Sequence, residues 1–184
     1  MPPLSPNEAA DALRDISKTE LRSAKAYGYR MTSPHLFLWG AIWLAEYAGF
    51  YFDPHKSWLF SALSLVGLVG SFIIGWWMKG SRGTYTSWRY FATVVLAFLF
   101  VTALFAIIPP TTAKQMGAFF PLLVALLYCL MGIWGNALRM GVTGLALGTI
   151  TLVGYFYFPA TFMLWMAIAG GGALMLGGLW MRSV

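Results

Sequence analysis

The sequence predicts an all-α membrane protein, six transmembrane helices in one bundle preceded by a short N-terminal cytoplasmic amphipathic helix. Three observations predict it. Hydrophobic residues make up 59% of the chain and charged residues 10%, with a mean hydropathy of +0.70. A soluble domain of this size cannot hide so much apolar surface, so lipid must be the solvent for most of it. The apolar residues fall into runs of about twenty, the length a helix needs to cross a hydrocarbon core. The joints between runs are too short for strands, and backbone polar groups in lipid must be satisfied within each segment, which leaves helices.

Residues 1–33 read as a cytoplasmic amphipathic helix and linker, and 34–184 as the bundle. Ser5 can cap a helix, Pro6 suits its first position, and Glu8 completes an S-x-x-E box. On a helical wheel Arg14, Lys18, Arg22 and Lys25 share one side; Leu13, Ile16, Leu21 and Tyr27 lie opposite, with Glu20 interrupting them. Such a helix can lie on anionic lipid or dock a protein partner. It can also be a solvated helix whose charges pair locally, Asp11 with Arg14 and Asp15 with Lys18. Gly28 and Pro34 offer a bend, so the helix is expected to leave the axis of the first span and follow the membrane surface. No apolar core lies near Met1, so the first span is expected to serve as an uncleaved anchor.

The spans are placed at about 35–52, 57–78, 88–108, 115–135, 140–158 and 160–181. Asp53-Pro54-His55-Lys56 turns the chain after the first, Pro109-Pro110 ends the third, and Pro159 separates the last two. Alternating spans put ten Lys and Arg residues on one side of the membrane and two, Lys56 and Lys114, on the other. Basic residues favour the cytoplasmic side, so both termini are expected there, in a bacterial-type inner membrane. This distribution also accounts for the net charge of +6 without nucleic acid as a partner.

Glu46 is the one acidic residue within an apolar run. It falls roughly 16 Å into its span, too deep for its short stem to reach water. An ionisable group at that depth faces the bundle interior, either as a hydrogen-bonding tie between helices or as a proton or cation site. Counting inward from the outer ends places Ser64, Thr102 and Thr151 at similar depth, as candidate partners. Trp39, Trp43 and Phe50 share its face, as packing groups or as walls of a cation pocket.

Small residues form stripes at i, i+4 spacing: Gly67, Ser71 and Gly75 in the second span, Gly144 and Gly148 in the fifth, and Ala169, Ala173 and Gly177 in the sixth. Such stripes let helix backbones approach closely, within the chain or between copies. The run Gly170-Gly171-Gly172 is also open to being a broken point.

Nothing in the sequence points to catalysis or to a cofactor. The two histidines, His35 and His55, are expected at opposite surfaces, where they cannot share a metal. No H-E-x-x-H, C-x-x-C, G-x-S-x-G or phosphate-loop lysine is present. Cys129, the single cysteine, falls inside the fourth span as a small apolar group. The expectation is a non-enzymatic, multi-pass membrane component that acts through its N-terminal helix on the lipid bilayer, a cytoplasmic protein or a second copy of itself. The alternative is a small transporter or channel subunit built around Glu46.

Overall fold

The computed structural model describes residues 6–56, 58–78 and 87–183. Among them there is no strand. The helices are α1 (Pro6–Phe52), α2 (Trp58–Met78), α3 (Ser87–Ile107), α4 (Ala113–Trp134), α5 (Leu138–Tyr157) and α6 (Phe162–Arg182). Four of these, α2, α4, α5 and α6, are long and apolar enough to cross a membrane. The predicted Ser5 cap and the basic loop carrying Lys79 and Arg82 lie outside the described residues.

One expectation needs correcting. Instead of a linker near residues 31–33, a single helix of 47 residues runs through Gly28 and Pro34. Proline cannot donate to the carbonyl four residues back, and it biases its predecessor away from helix. Tertiary contacts override that bias. Ser33, immediately before the proline, is fully buried, and its hydroxyl donates to the Gly178 carbonyl of α6 at 2.7 Å. Tyr29, one turn earlier, is also buried. Thr32 donates back to Gly28 at 2.9 Å, giving that carbonyl an added donor.

α1 is the hub of the fold. α2 returns antiparallel to it: Leu59 lies against Gly49, Ser64 meets Glu46, and Trp39 and Ile42 flank Gly67. α6 lies antiparallel on another side, with Gly178 against Ser33 and Phe37, and Gly171 against Gly40. α5 backs onto α6 through Thr143 against Gly177 and Trp165 against Gly154. α4 pairs antiparallel with α5 through Gly132 with Gly141 and Ala125 with Gly144. α3 meets α4 through Phe105, whose ring lies 4.8 Å edge-on from that of Phe119. The core follows α1, with Leu36, Trp43, Tyr47, Leu147, Phe162, Met166, Leu174 and Met181 buried.

One helix start and one turn have local causes, and one helix interior departs from α-geometry. Thr112 caps α4, its hydroxyl accepting from the Gln115 N–H at 3.2 Å while the Gln115 side chain accepts from the Thr112 N–H at 3.3 Å. This reciprocal box fixes the start of α4 two residues before the predicted one. In the turn after α1, Asp53 accepts from the His55 N–H at 3.2 Å and pairs with Lys56 at 3.3 Å. In α6 the turn Met166–Gly170 is a π-helix, and the chain continues as α-helix from Gly171. The glycine run therefore sits at a widened turn, not at a break.

The small-residue stripes divide. Gly144 is a true close-approach position: a Cβ there would stand 2.6 Å from the Ala125 carbonyl oxygen and 2.8 Å from the Cys129 nitrogen, both backbone atoms. Gly67 makes room for Trp39, and Gly177 for Thr143. At Gly148 the added atom would make ordinary contact with Ala125 at 3.5 Å. Ser71 contributes its polar atoms, not its size, accepting from Trp39 Nε1 at 3.1 Å. Gly75 faces open space within the chain. In α6 the buried line is Ala167, Gly170, Gly171, Leu174, Gly177, Gly178 and Met181, which leaves Ala169 and Ala173 half-buried beside it. Small residues surround this helix, so size alone does not pick the buried face; Leu174 and Met181 do.

The glycines give a paired prediction. Gly144→Ala forces α4 and α5 apart and destabilises the protein by about 1–3 kcal/mol, the cost of overpacking against atoms that cannot yield. Gly75→Ala, with open space around it, stabilises by up to about 1 kcal/mol through helix propensity. Thermal unfolding of both variants in detergent checks the opposite signs.

Candidate functional site

Glu46 lies on the α1 face turned toward α2 and is 2% exposed. Its Oε1 accepts a hydrogen bond from Ser64 Oγ at 2.8 Å. Ser64 is thus the predicted partner that the fold brings to the carboxyl group. It arrives because α1 and α2 form a tight antiparallel hairpin. Thr151 is also fully buried, but its hydroxyl donates to the Leu147 carbonyl of its own helix at 2.8 Å. Thr102 is exposed on α3.

Aromatic groups wall the site. Tyr47, next to Glu46, is buried with its ring edge-on to Trp43 at 6.1 Å and to Phe60 at 5.3 Å. Trp43 is buried, whereas Trp39 and Phe50 are half-buried at either end of the same face. Below Trp43 the π-turn of α6 presents Met166 and Gly170. Widened turns of this kind recur beside functional sites, since they re-aim side chains without ending the helix.

A second polar tie beside Glu46 was not anticipated from the sequence. Tyr47 donates its hydroxyl hydrogen to the Gly117 carbonyl of α4 at 2.5 Å. Pro121, buried inside α4, stands four residues after Gly117 and has no N–H to offer that carbonyl. The tyrosine supplies the missing donor. The signal was present in the sequence as a proline within an apolar run, which leaves one carbonyl in need of a partner from elsewhere.

At one end of α1, His35 places Nδ1 3.0 Å from the Met31 carbonyl and Nε2 3.3 Å from the Ser71 carbonyl, tying α1 to α2. His55 sits at the other end, in the turn after α1. Among the described residues no three His, Cys, Asp or Glu side chains converge on one point. Cys129 is half-buried, its sulfur 3.7 Å from the Gly141 carbonyl. Every buried side-chain nitrogen and oxygen among the described residues has a partner.

The predicted surface residues form a separate group. Arg14 and Lys18 pair with Asp11 and Asp15 at 3.5 and 3.7 Å, and all four side chains are exposed. Arg22 is exposed and Lys25 half-buried. Leu13, Ile16, Leu21 and Tyr27 are all more than half exposed. Compared with known protein families, curated proteins and solved structures, the chain matches none.

A double-mutant cycle tests the Tyr47 tie. Tyr47→Phe leaves a buried carbonyl bare and costs about 1–2 kcal/mol, more than an average side-chain bond in a membrane because no neighbouring N–H can replace it. Pro121→Ala restores a backbone donor, so the same Tyr47→Phe change costs about 0.5 kcal/mol or less in that background. Equal costs in both backgrounds, measured by unfolding in detergent, would show that the proline and the tyrosine act independently.

Proposed function

We propose that the protein is a non-enzymatic component of a bacterial-type inner membrane, crossing it six times with both termini in the cytoplasm. It acts through the exposed N-terminal part of α1 as an interaction or regulatory element. The antiparallel contacts support the alternation of spans: Asp53 and Lys56, and Lys114 over the Tyr155 ring, lie at the end opposite to Tyr29, Arg139 and Arg182. The basic end is the cytoplasmic one by charge.

The observation that carries the functional reading is an unbroken helix with an uncovered apolar stripe. Residues 10–24 are exposed at every position, and Leu13, Ile16 and Leu21 line up along that length. From residue 6 to residue 34 such a helix extends about 42 Å. An unbroken helix does not turn the right angle needed to lie flat on the bilayer. A protein partner, or the same helix of a second copy, therefore fits the stripe better than a lipid surface does. The local ion pairs of Arg14 and Lys18 point the same way, since they neutralise half of the basic face. Such exposed pairs add little stability of their own.

The buried Glu46–Ser64 bond supports a second reading, a small transporter or channel subunit in which Glu46 takes up a proton or cation. Glu46→Gln separates the two. As a tie between helices, the amide also accepts from Ser64, so fold and partner binding persist. As an ion site, the variant folds but loses flux in proteoliposomes.

Two further outcomes follow from the first reading. In a Cys129→Ala background, cysteines at Lys56 and Lys114 react with an impermeant thiol reagent applied to sealed cells, and one at Arg22 does not; labelling at Arg22 would reverse the topology. Replacing Leu13, Ile16 and Leu21 with Gln abolishes crosslinking from the exposed stripe to its partner while leaving thermal unfolding of the bundle unchanged. Crosslinking that survives the substitution would remove the stripe from the interaction.

A further inference from the structure

The end of the bundle where α1, α5 and α6 meet holds two arginines without acidic partners among the described residues. Arg139, in the first turn of α5, passes between aromatic rings, its guanidinium carbon 5.9 Å from the centre of Tyr29 and 5.3 Å from that of Trp180. One of its terminal nitrogens, Nη1, donates to the Trp180 carbonyl and, at 2.9 Å, to Ser183 Oγ. Arg182, in the last turn of α6, donates from Nε to Ser33 Oγ at 3.1 Å and lies over the Phe37 ring at 4.8 Å. Arg139 thus sits against Tyr29 of α1 and the last turn of α6, and Arg182, within that turn, sits against Ser33 and Phe37, one and two turns further along α1. Among the described residues the ion pairs engage Arg14, Lys18 and Lys56, and neither of these arginines.

The local electrostatics run against a purely structural role. Arg182 suits a helix C-terminus. Arg139 sits at a helix N-terminus, where a cation is unfavourable. That start has no acidic residue in its first turn and no side-chain cap. Closing the end of α6 uses Nη1 of Arg139 and leaves Nε and Nη2 without a protein acceptor among the described residues; Nη1 and Nη2 of Arg182 are in the same position. Planar guanidinium groups with spare N–H donors suit the oxygens of a phosphate.

The surroundings identify the kind of phosphate. Trp134, Leu138 and Leu179 are exposed by 87%, 74% and 58% at this same end, and Trp180 by 41%. Basic groups between helices, bordered by open apolar and indole side chains, are where a phospholipid headgroup sits with its chains in the hydrocarbon. A soluble phosphate has no use for that apolar border.

We propose that Arg139 and Arg182 form a binding site for the headgroup of an anionic phospholipid at the junction of α1, α5 and α6. The site is separate from the N-terminal stripe and from Glu46. It would tie the Tyr29–Ser33 stretch of α1 to the lipid, next to the point where the exposed part of the helix emerges.

The test uses the full-length protein in mild detergent, titrated with phosphatidylglycerol, with phosphatidylcholine of the same chains, and with soluble glycerol phosphate, while native mass spectrometry counts bound lipid. Phosphatidylglycerol is expected to bind more tightly than phosphatidylcholine. Arg139→Gln and Arg182→Gln each weaken that binding about fivefold, and together about thirtyfold. Lys114→Gln, at the opposite end, leaves it unchanged. Arg182 is exposed, so its variant still reports if Arg139→Gln fails to fold. Equal retention of the two lipids, or undiminished phosphatidylglycerol binding by Arg182→Gln, would overturn the site. Displacement of bound lipid by an equal concentration of glycerol phosphate would overturn the lipid as its occupant.

Discussion

Within a bilayer every backbone carbonyl needs a donor, and this chain is tied together where its own helices do not suffice. Pro121 deprives Gly117 of its regular partner, and the hydroxyl of Tyr47 reaches across from α1 to replace it. A side-chain donor from another helix also reaches the Gly178 carbonyl, which Ser33 of α1 engages. Another reaches the Ile150 carbonyl of α5, which accepts from the Trp165 indole at 2.9 Å. Each tie joins different helices, and two of the three begin on α1. In a solvent that offers no hydrogen bonds, such contacts decide which helices become neighbours.

Close approach does the rest. Lipid gives no hydrophobic reward for pairing two apolar helices, so contact area and backbone proximity must hold them. At Gly40 and Gly171 the helices α1 and α6 come so near that a Cβ on either would lie 2.8 Å from the other's carbonyl oxygen. Gly132 plays a similar part between α4 and α5, where a Cβ would lie 2.5 Å from the Gly141 Cα. The large core residues fill the spaces on either side of these crossings. Glu46 belongs to this scheme through Ser64, on the side of α1 that faces α2.

Much of this was legible in the residues alone. Hydropathy and the turn prolines placed the helix ends within a few positions, because a span has a fixed length and proline an unambiguous effect at a helix start or stop. Glu46 was legible as an inward-facing group, and Ser64 as its partner, because a short hairpin leaves little freedom in register. Thr151 is buried as a candidate of matched depth, but depth does not specify direction, and its hydroxyl bonds its own helix. The continuity of α1 through Pro34 was illegible because it depends on Ser33 meeting Gly178, a contact 145 residues apart in sequence. The capping box of Thr112 and Gln115 is legible in the sequence as T-x-x-Q ahead of an apolar run. Gly40 carried no stripe around it, so only the packed structure reveals its importance.

The bond between Tyr47 and Gly117 also has a bearing on how the chain is made. Synthesis delivers α1 to the membrane well before α4, so the donor is in place when the needy carbonyl arrives. Until the two meet, α4 carries an unsatisfied group into the hydrocarbon, which favours early docking onto α1 over wandering free among lipids. A polypeptide nicked between α3 and α4 retains this complementarity, so its two pieces, made separately, have a reason to find one another.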